Sequence, residues 1–154
     1  TYFDYRGFLR EAFKIKHINK RIIFSIVSKS KKNVIRGLHF QSKNPQDKLI
    51  IVLKGKILDV AIDLRKNSKT YLKSFSIILE AKSFESIIVP PNCANAILTL
   101  RDNTILHYYM GDYFENDKYS GIRYDDPFFK IKWPFKPKIV NDRDRNYQDF
   151  KLNK

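Results

Sequence analysis

Within four residues, Arg36-Gly37-Leu38-His39 joins a guanidinium, a residue that can hinge the backbone and a titratable imidazole. A guanidinium can hold an anion through two parallel N–H groups, and an imidazole can accept or deliver a proton near neutral pH. Val34 and Ile35 before this stretch, and Leu38 and Phe40 within it, read as strand. Alternate residues of a strand point to one face. Arg36, Leu38 and Phe40 are therefore expected on one face, and Gly37, His39 and Gln41 on the other. A second group with chemical potential lies in Lys56 to Leu64. There Asp59 and Asp63 share a face with Ile57 and Ala61, while Leu58, Val60 and Ile62 take the opposite face. Two carboxylates on an otherwise apolar strand face imply a solvent-exposed face or a polar cavity. A lone histidine is more often structural than catalytic, so the reading of His39 depends on the rest of the chain.

The chain has 154 residues, enough for one domain spanning 1–154 with a real core. Apolar residues make up 43% and aromatic residues 14%, which places it among globular rather than disordered chains. Thirty Lys and Arg against sixteen Asp and Glu give a formal charge of +14, which favours an anionic partner such as nucleic acid, a membrane surface or a phosphorylated small molecule. The single cysteine, Cys93, rules out an internal disulfide and fits a reducing cytosol. No apolar run is long enough to span a membrane, and no signal peptide is visible. The chain opens at Thr1, already in a strand-like run, so residues upstream are expected. His17, His39 and His107 are too scattered to suggest a metal cluster, and no cofactor is expected.

The elements that would position these groups are mostly strands. Tyr2 to Leu9 reads as a hairpin turning at Arg6-Gly7, and Glu11 to Lys16 as a helical turn. Arg21 to Ser28 reads as a strand followed by a basic loop, Ser28 to Asn33. Lys48 to Leu53 and Lys56 to Leu64 read as strands joined in a hairpin at Lys54-Gly55. Tyr71 to Ile78, Phe84 to Val89, Ala96 to Leu100 and Thr104 to Tyr109 follow, with Pro90-Pro91-Asn92 breaking the chain between two of them. Short strands separated by turn residues every ten or so positions predict an all-β sandwich or barrel with few, short helices. Residues 128–154 read as an irregular tail, whose charged end, Asn141 to Lys154, is expected either to fold over the sheet or to touch a second subunit.

The order of segments resembles the dTDP-4-dehydrorhamnose 3,5-epimerase family. The matching segments are Asp4-Tyr5-Arg6-Gly7-Phe8 with Glu11; Arg36 to Gln41; Gln46-Asp47-Lys48-Leu49; Gly55 to Arg65; Val89-Pro90-Pro91; Tyr108 through Asp112-Tyr113-Phe114; Gly121 to Pro127; and Ile131-Lys132-Trp133-Pro134. The resemblance implies a cupin-type jelly roll, a homodimer in the cytoplasm, and a nucleotide-diphosphate-linked 4-keto sugar as substrate, used in making bacterial surface polysaccharide. It implies neither a membrane nor a nucleic-acid partner.

A ketone at C4 acidifies the hydrogens at C3 and C5. Inverting either carbon needs a base on one face, an acid on the other and a positive group beside the enolate oxygen. The resemblance assigns the base to His39, the acid to Tyr108 and the enolate contact to Lys48. It aligns the carboxylate that orients the base with Asp144, and Asp59 is a second candidate. Arg6, Arg36 and Arg143 would anchor the diphosphate. Glu11 and Gln41 would contact substrate, and Phe114 would stack on the nucleobase. Asn95 and Tyr119 also fall at substrate-contacting positions, but the family pattern has a histidine and a glutamate there. Phe24, Ser25 and Ile26 likewise replace a Gln-Asp-Asn run. These departures leave His39, Lys48 and Tyr108 in place, so the chemistry is expected to persist on a different substrate, with inversion at C3, C5 or both. Two other readings remain: a 3,4-ketoisomerase of the same fold, and a non-catalytic basic binding protein.

Overall fold

The computed structural model describes residues 1–14 and 22–152, and it is built almost entirely from strands. In chain order these are β1 (Tyr2–Asp4), β2 (Gly7–Leu9), β3 (Phe24–Ser30), β4 (Val34–Gln41), β5 (Lys48–Lys54), β6 (Lys56–Asp63), β7 (Ser74–Glu80), β8 (Ser86–Val89), β9 (Cys93–Thr99), β10 (Thr104–Met110), β11 (Tyr119–Gly121) and β12 (Ile139–Val140). A one-turn helix, α1 (Asp142–Arg145), follows β12, and Ala81–Ser83 forms a single 3₁₀ turn. The all-β sandwich anticipated from the turn spacing is present.

Two sheets make the sandwich. One has strand order β3-β10-β5-β8; the other has β11-β4-β9-β6-β7, with β12 beside β4. Every pairing is antiparallel except β12 with β4. The hairpin β1-β2 pairs with neither sheet.

Apolar side chains fill two layers. Between the sheets, Ile50, Val52 and Leu106 of the smaller sheet meet Ile57, Leu79 and Ile97 of the larger. On the outer face of the larger sheet, Leu38, Leu58, Val60, Ile62 and Leu98 are covered by Phe129, Trp133, Phe135 and Phe150. The tail beyond Pro127 therefore folds over the sheet, which explains why β6 is buried on both faces. Asp126 pins the tail: its two carboxylate oxygens accept the backbone N–H groups of Phe128 (2.9 Å) and Phe150 (2.7 Å).

Three sequence expectations fail for physical reasons. Lys54-Gly55 does not close a hairpin, because β5 pairs with β10 and β8 while β6 pairs with β7 and β9. The turn is a corner between the two sheets. Gly55 makes it with φ +86°, against Thr104, where a Cβ would collide. Glu11 to Lys14 is not helical, and the rest of that predicted turn lies outside the described residues, as does His17. Strict alternation along β4 also breaks. Its register against β9 shifts between Arg36 and His39, so both side chains face the same cavity. Gly37 allows this with φ +119° and close passage over β9, where a Cβ would strike the Asn95 carbonyl and Ala96.

Candidate active site

A cavity of about 680 Å³ opens where the smaller sheet faces β4, β9 and β11. His39 enters from the larger sheet, and Tyr108 and Lys48 from the smaller one. Asp144 enters from α1. Leaving aside the alternative Asp59, nine of the twelve residues singled out from the sequence line it: these four with Arg36, Asn95, Phe114, Tyr119 and Arg143.

His39 Nε2 lies 2.6 Å from Asp144 Oδ1, and Asp144 Oδ2 accepts the Gly37 N–H at 3.0 Å. The carboxylate thus fixes both the ring and the bulge that presents it. Asp144 is only 4% exposed. It is placed by α1, whose first turn is capped by Asn141 accepting the Arg143 N–H at 2.9 Å. Asn141 and Asp144 are a helix-start signature that could have been read from the sequence. Of the two candidates for the histidine's partner, the geometry brings Asp144 to it.

Asp59 sits elsewhere in the network. Fully buried, it receives the Asn95 side-chain N–H₂ at 3.0 and 3.1 Å. Burial pushes its carboxyl up to about 7, against the opposing pulls of Asn95 and Lys48. Desolvation also brings the Lys48 ammonium down to about 8, with the charge of Asp59 opposing the fall. Tyr108 is raised by burial, partly offset by Ser28 and Arg36, so its phenol keeps its proton at neutral pH.

The cavity's outer wall is aromatic and cationic. The ring of Tyr119 lies 5.0 Å from that of His39 and 4.9 Å from that of Phe114. The Arg143 guanidinium covers it at 4.8 Å. Arg143 is braced by donating to Asn116 Oδ1 (3.2 Å) and to the Tyr119 carbonyl (3.1 Å). Burial raises the Tyr119 phenol far above its ordinary range, with Tyr147 and Asp144 adding to the shift. Arg36 donates to Ser30 Oγ at 3.3 and 3.2 Å, which aims its guanidinium along the wall. Ser30, Asn116, Asn141 and Tyr147 were not anticipated. Tyr147 stands 6.4 Å from His39, ring to ring. Only folding brings these residues near the site.

Three singled-out residues lie off this cavity. Gln41 is buried and holds a loop corner: it donates to the Asn44 and Tyr113 carbonyls and accepts from the Glu115 N–H. Arg6 is exposed on the hairpin and pairs with Asp4 at 2.6 Å. Glu11 pairs with Lys14 at 2.9 Å and borders a separate cleft of about 320 Å³.

Comparison with known proteins shows the family and the fold. The model of the dTDP-4-dehydrorhamnose 3,5-epimerase family matches residues 1–151. The enzyme of that name from Methanothermobacter thermautotrophicus is 35% identical over 161 residues, covering 99% of this chain and 87% of its own. The Escherichia coli K12 enzyme is 34% identical over 138 residues, covering 85% of this chain and 75% of its own. The crystal structure of the Bacillus anthracis enzyme with TDP and PPi bound superposes with TM-score 0.91 at 35% identity, covering 96% of this chain and 88% of that one. The Legionella pneumophila enzyme in complex with dTDP-4-keto-L-rhamnose gives 0.89 at 31% identity, covering 95% and 81%. With its cupin-like β fold, this chain belongs to the dTDP-4-dehydrorhamnose 3,5-epimerase family, enzymes of the isomerase class.

Proposed function

We propose that the cavity takes a thymidine-diphosphate-linked 4-keto-6-deoxyhexose and inverts it at C3, C5 or both through an enolate. The observation that carries this is the placement of His39 and Tyr108 on opposing sheets across one cavity. A carbon centre held between them can lose its proton to one face and regain one from the other.

Asp144 occupies His39 Nε2, which leaves Nδ1 as the nitrogen that takes the carbon-bound proton. As the C–H bond breaks, its electron pair moves into the ring and onto O4. The Lys48 ammonium meets that charge, a contact worth about 3–4 kcal/mol in the transition state. The protonated phenol of Tyr108 then delivers a proton to the opposite face. Asp144 stabilises the imidazolium formed in the first step. Arg36 and Arg143 hold the diphosphate, and Phe114 stacks on the base.

The enzyme works as a cytoplasmic homodimer supplying a sugar for surface polysaccharide. The exposed hairpin supports the dimer. Tyr2, Phe3, Tyr5, Phe8 and Leu9 are all 60–98% exposed on it, more apolar surface than a short self-paired hairpin leaves to water by itself. Arg6 and Glu11, which lie off this subunit's cavity, would serve the partner's.

Exchange of the substrate's C3 and C5 hydrogens in deuterated water, followed by NMR, tests the proposal. The intact protein should exchange at least one position, and His39→Ala should abolish that. Tyr108→Phe should still exchange but form inverted product at least about 100-fold more slowly. Absence of exchange at both carbons in the intact protein overturns the reading.

A further inference from the structure

One side-chain oxygen in the cavity has no assigned task. Asn95 is 4% exposed, and among its neighbours are three acceptors: both carboxylate oxygens of Asp59 and the Val60 carbonyl. All three lie 3.0–3.1 Å from Nδ2. Exchanging the amide oxygen and nitrogen would set an oxygen against the Val60 carbonyl and leave it at most one donor, a protonated Asp59, so the orientation with the nitrogen toward Asp59 and Val60 is the favoured one. Its nitrogen is committed to the protein. The oxygen is the end left for the cavity that Asn95 lines, and no donor among the described residues reaches it. It accepts hydrogen bonds and cannot donate one.

Its position tells which substrate group it meets. Asn95 in β9 is the register partner of His39 in β4. A carbon that gives its proton to His39 holds its other substituent near this neighbour. In a 4-keto-6-deoxyhexose that substituent is a hydroxyl on C3 and a methyl on C5. The developing enolate oxygen cannot face Asn95, because two acceptors would repel, and Lys48 takes that role. We infer that Asn95 Oδ1 accepts a hydrogen bond from the hydroxyl on the carbon beside the ketone, so that this chain selects 4-keto sugars keeping a free C3 hydroxyl. The inference rests on the epimerase reading above.

The experiment compares two substrates on the intact protein: the thymidine-diphosphate-linked 4-keto-6-deoxyhexose and its 3-deoxy analogue, both followed by deuterium exchange at C3 and C5, with the comparison read at C3, the carbon whose hydroxyl would face Asn95. Leaving a buried acceptor unmatched should lower kcat/KM for the analogue about 10- to 100-fold. Asn95→Leu, close in shape, should bring the ratio of the two substrates to within about twofold while lowering both rates. Asn95→Ala, which leaves room for water to solvate Asp59, should do the same, and its melting curve shows whether the fold survives. A side chain that only supports Asp59 would slow both substrates equally and leave the ratio unchanged. An unchanged ratio in either folded variant overturns the inference while the epimerase reading stands, and so does equal use of both substrates by the intact protein. No exchange with either substrate overturns both.

Discussion

The floor of the cavity and the hairpin that carries Arg6 are held in opposite ways. On the floor, buried side chains are tied by neighbours from other elements: His39 by Asp144, Asp144 by Gly37, Asp59 by Asn95. On the hairpin, Arg6 meets only its chain neighbours among the described residues, pairing with Asp4 and lying 5.8 Å from the Tyr5 ring, and its side chain is 75% exposed. On the proposed reading the chemistry is preorganised within one subunit, and the arm adds to the diphosphate contacts of Arg36 and Arg143 one that the same subunit does not brace. Damage to the floor should strike turnover. Damage to the arm should strike affinity.

The largest effect should come from Asp144→Asn. The replacement still has one oxygen, which must face the Gly37 N–H. Its amide N–H₂ then faces His39 and donates to Nε2. That forces the ring proton onto Nδ1, the nitrogen needed as base. A comparable change of tautomer costs about 10⁴ in a serine protease, so exchange should fall about 10³- to 10⁴-fold with the fold intact. Retention of exchange within tenfold of the parent would show that Asp144 does not set the tautomer.

The second effect is smaller and depends on pH. Lys48→Met should lower kcat about 10²- to 10³-fold. In the parent, exchange should decline above the Lys48 value of about 8, as the ammonium loses its charge, and this limb should vanish in the variant. The same pair costs stability. Asp59 keeps its proton in the folded chain up to about 7, whereas the unfolded carboxyl releases it near 3.8, so stability falls as pH rises through that window. Lys48 gives up its proton at about 8 when folded and at 10.5 when unfolded, so stability recovers as pH rises between those values. The minimum lies between them. Asp59→Asn should therefore raise the melting temperature near neutral pH and flatten its decline from acid to neutral. A lower, equally pH-dependent melting temperature would mean the carboxylate is net stabilising.

The two regions also differ in how far the sequence revealed them. The floor was legible because its residues sit in short contiguous motifs, and a strand's chemistry travels with its local pattern. Arg36 and His39 still needed the fold: strict alternation separates them, and only the Gly37 bulge brings both into one cavity. Asp144 lies 105 positions from its histidine, and the choice between it and Asp59 needed coordinates. Lys54-Gly55 failed differently. A glycine at positive φ serves a hairpin and a corner between sheets equally well, and long-range pairing decides which forms. β11 and β12 escaped notice because three and two residues carry no periodicity of their own. Tyr119 illustrates the limit at the site itself: its place in the motif was visible, but not the Arg143 stack that makes it a wall.

The arm offers the smallest effect and the sharpest division. Arg6→Ala should raise KM about tenfold and leave kcat within twofold, since a diphosphate contact far from the reacting carbon adds uniform binding. A mixing experiment then shows which cavity the arm serves. Subunits carrying His39→Ala keep a sound arm, and subunits carrying Arg6→Ala keep a sound floor. If each arm reaches the partner's cavity, a mixed dimer joins one sound arm to one sound floor. Mixing equal amounts after reversible dissociation should then produce roughly a quarter of the sites with parental KM. If the arm folds back onto its own cavity, no such site forms and only the weakened KM of Arg6→Ala is seen. The floor would then depend on an arm of its own subunit, and the division drawn between preorganised chemistry and shared capture would fail.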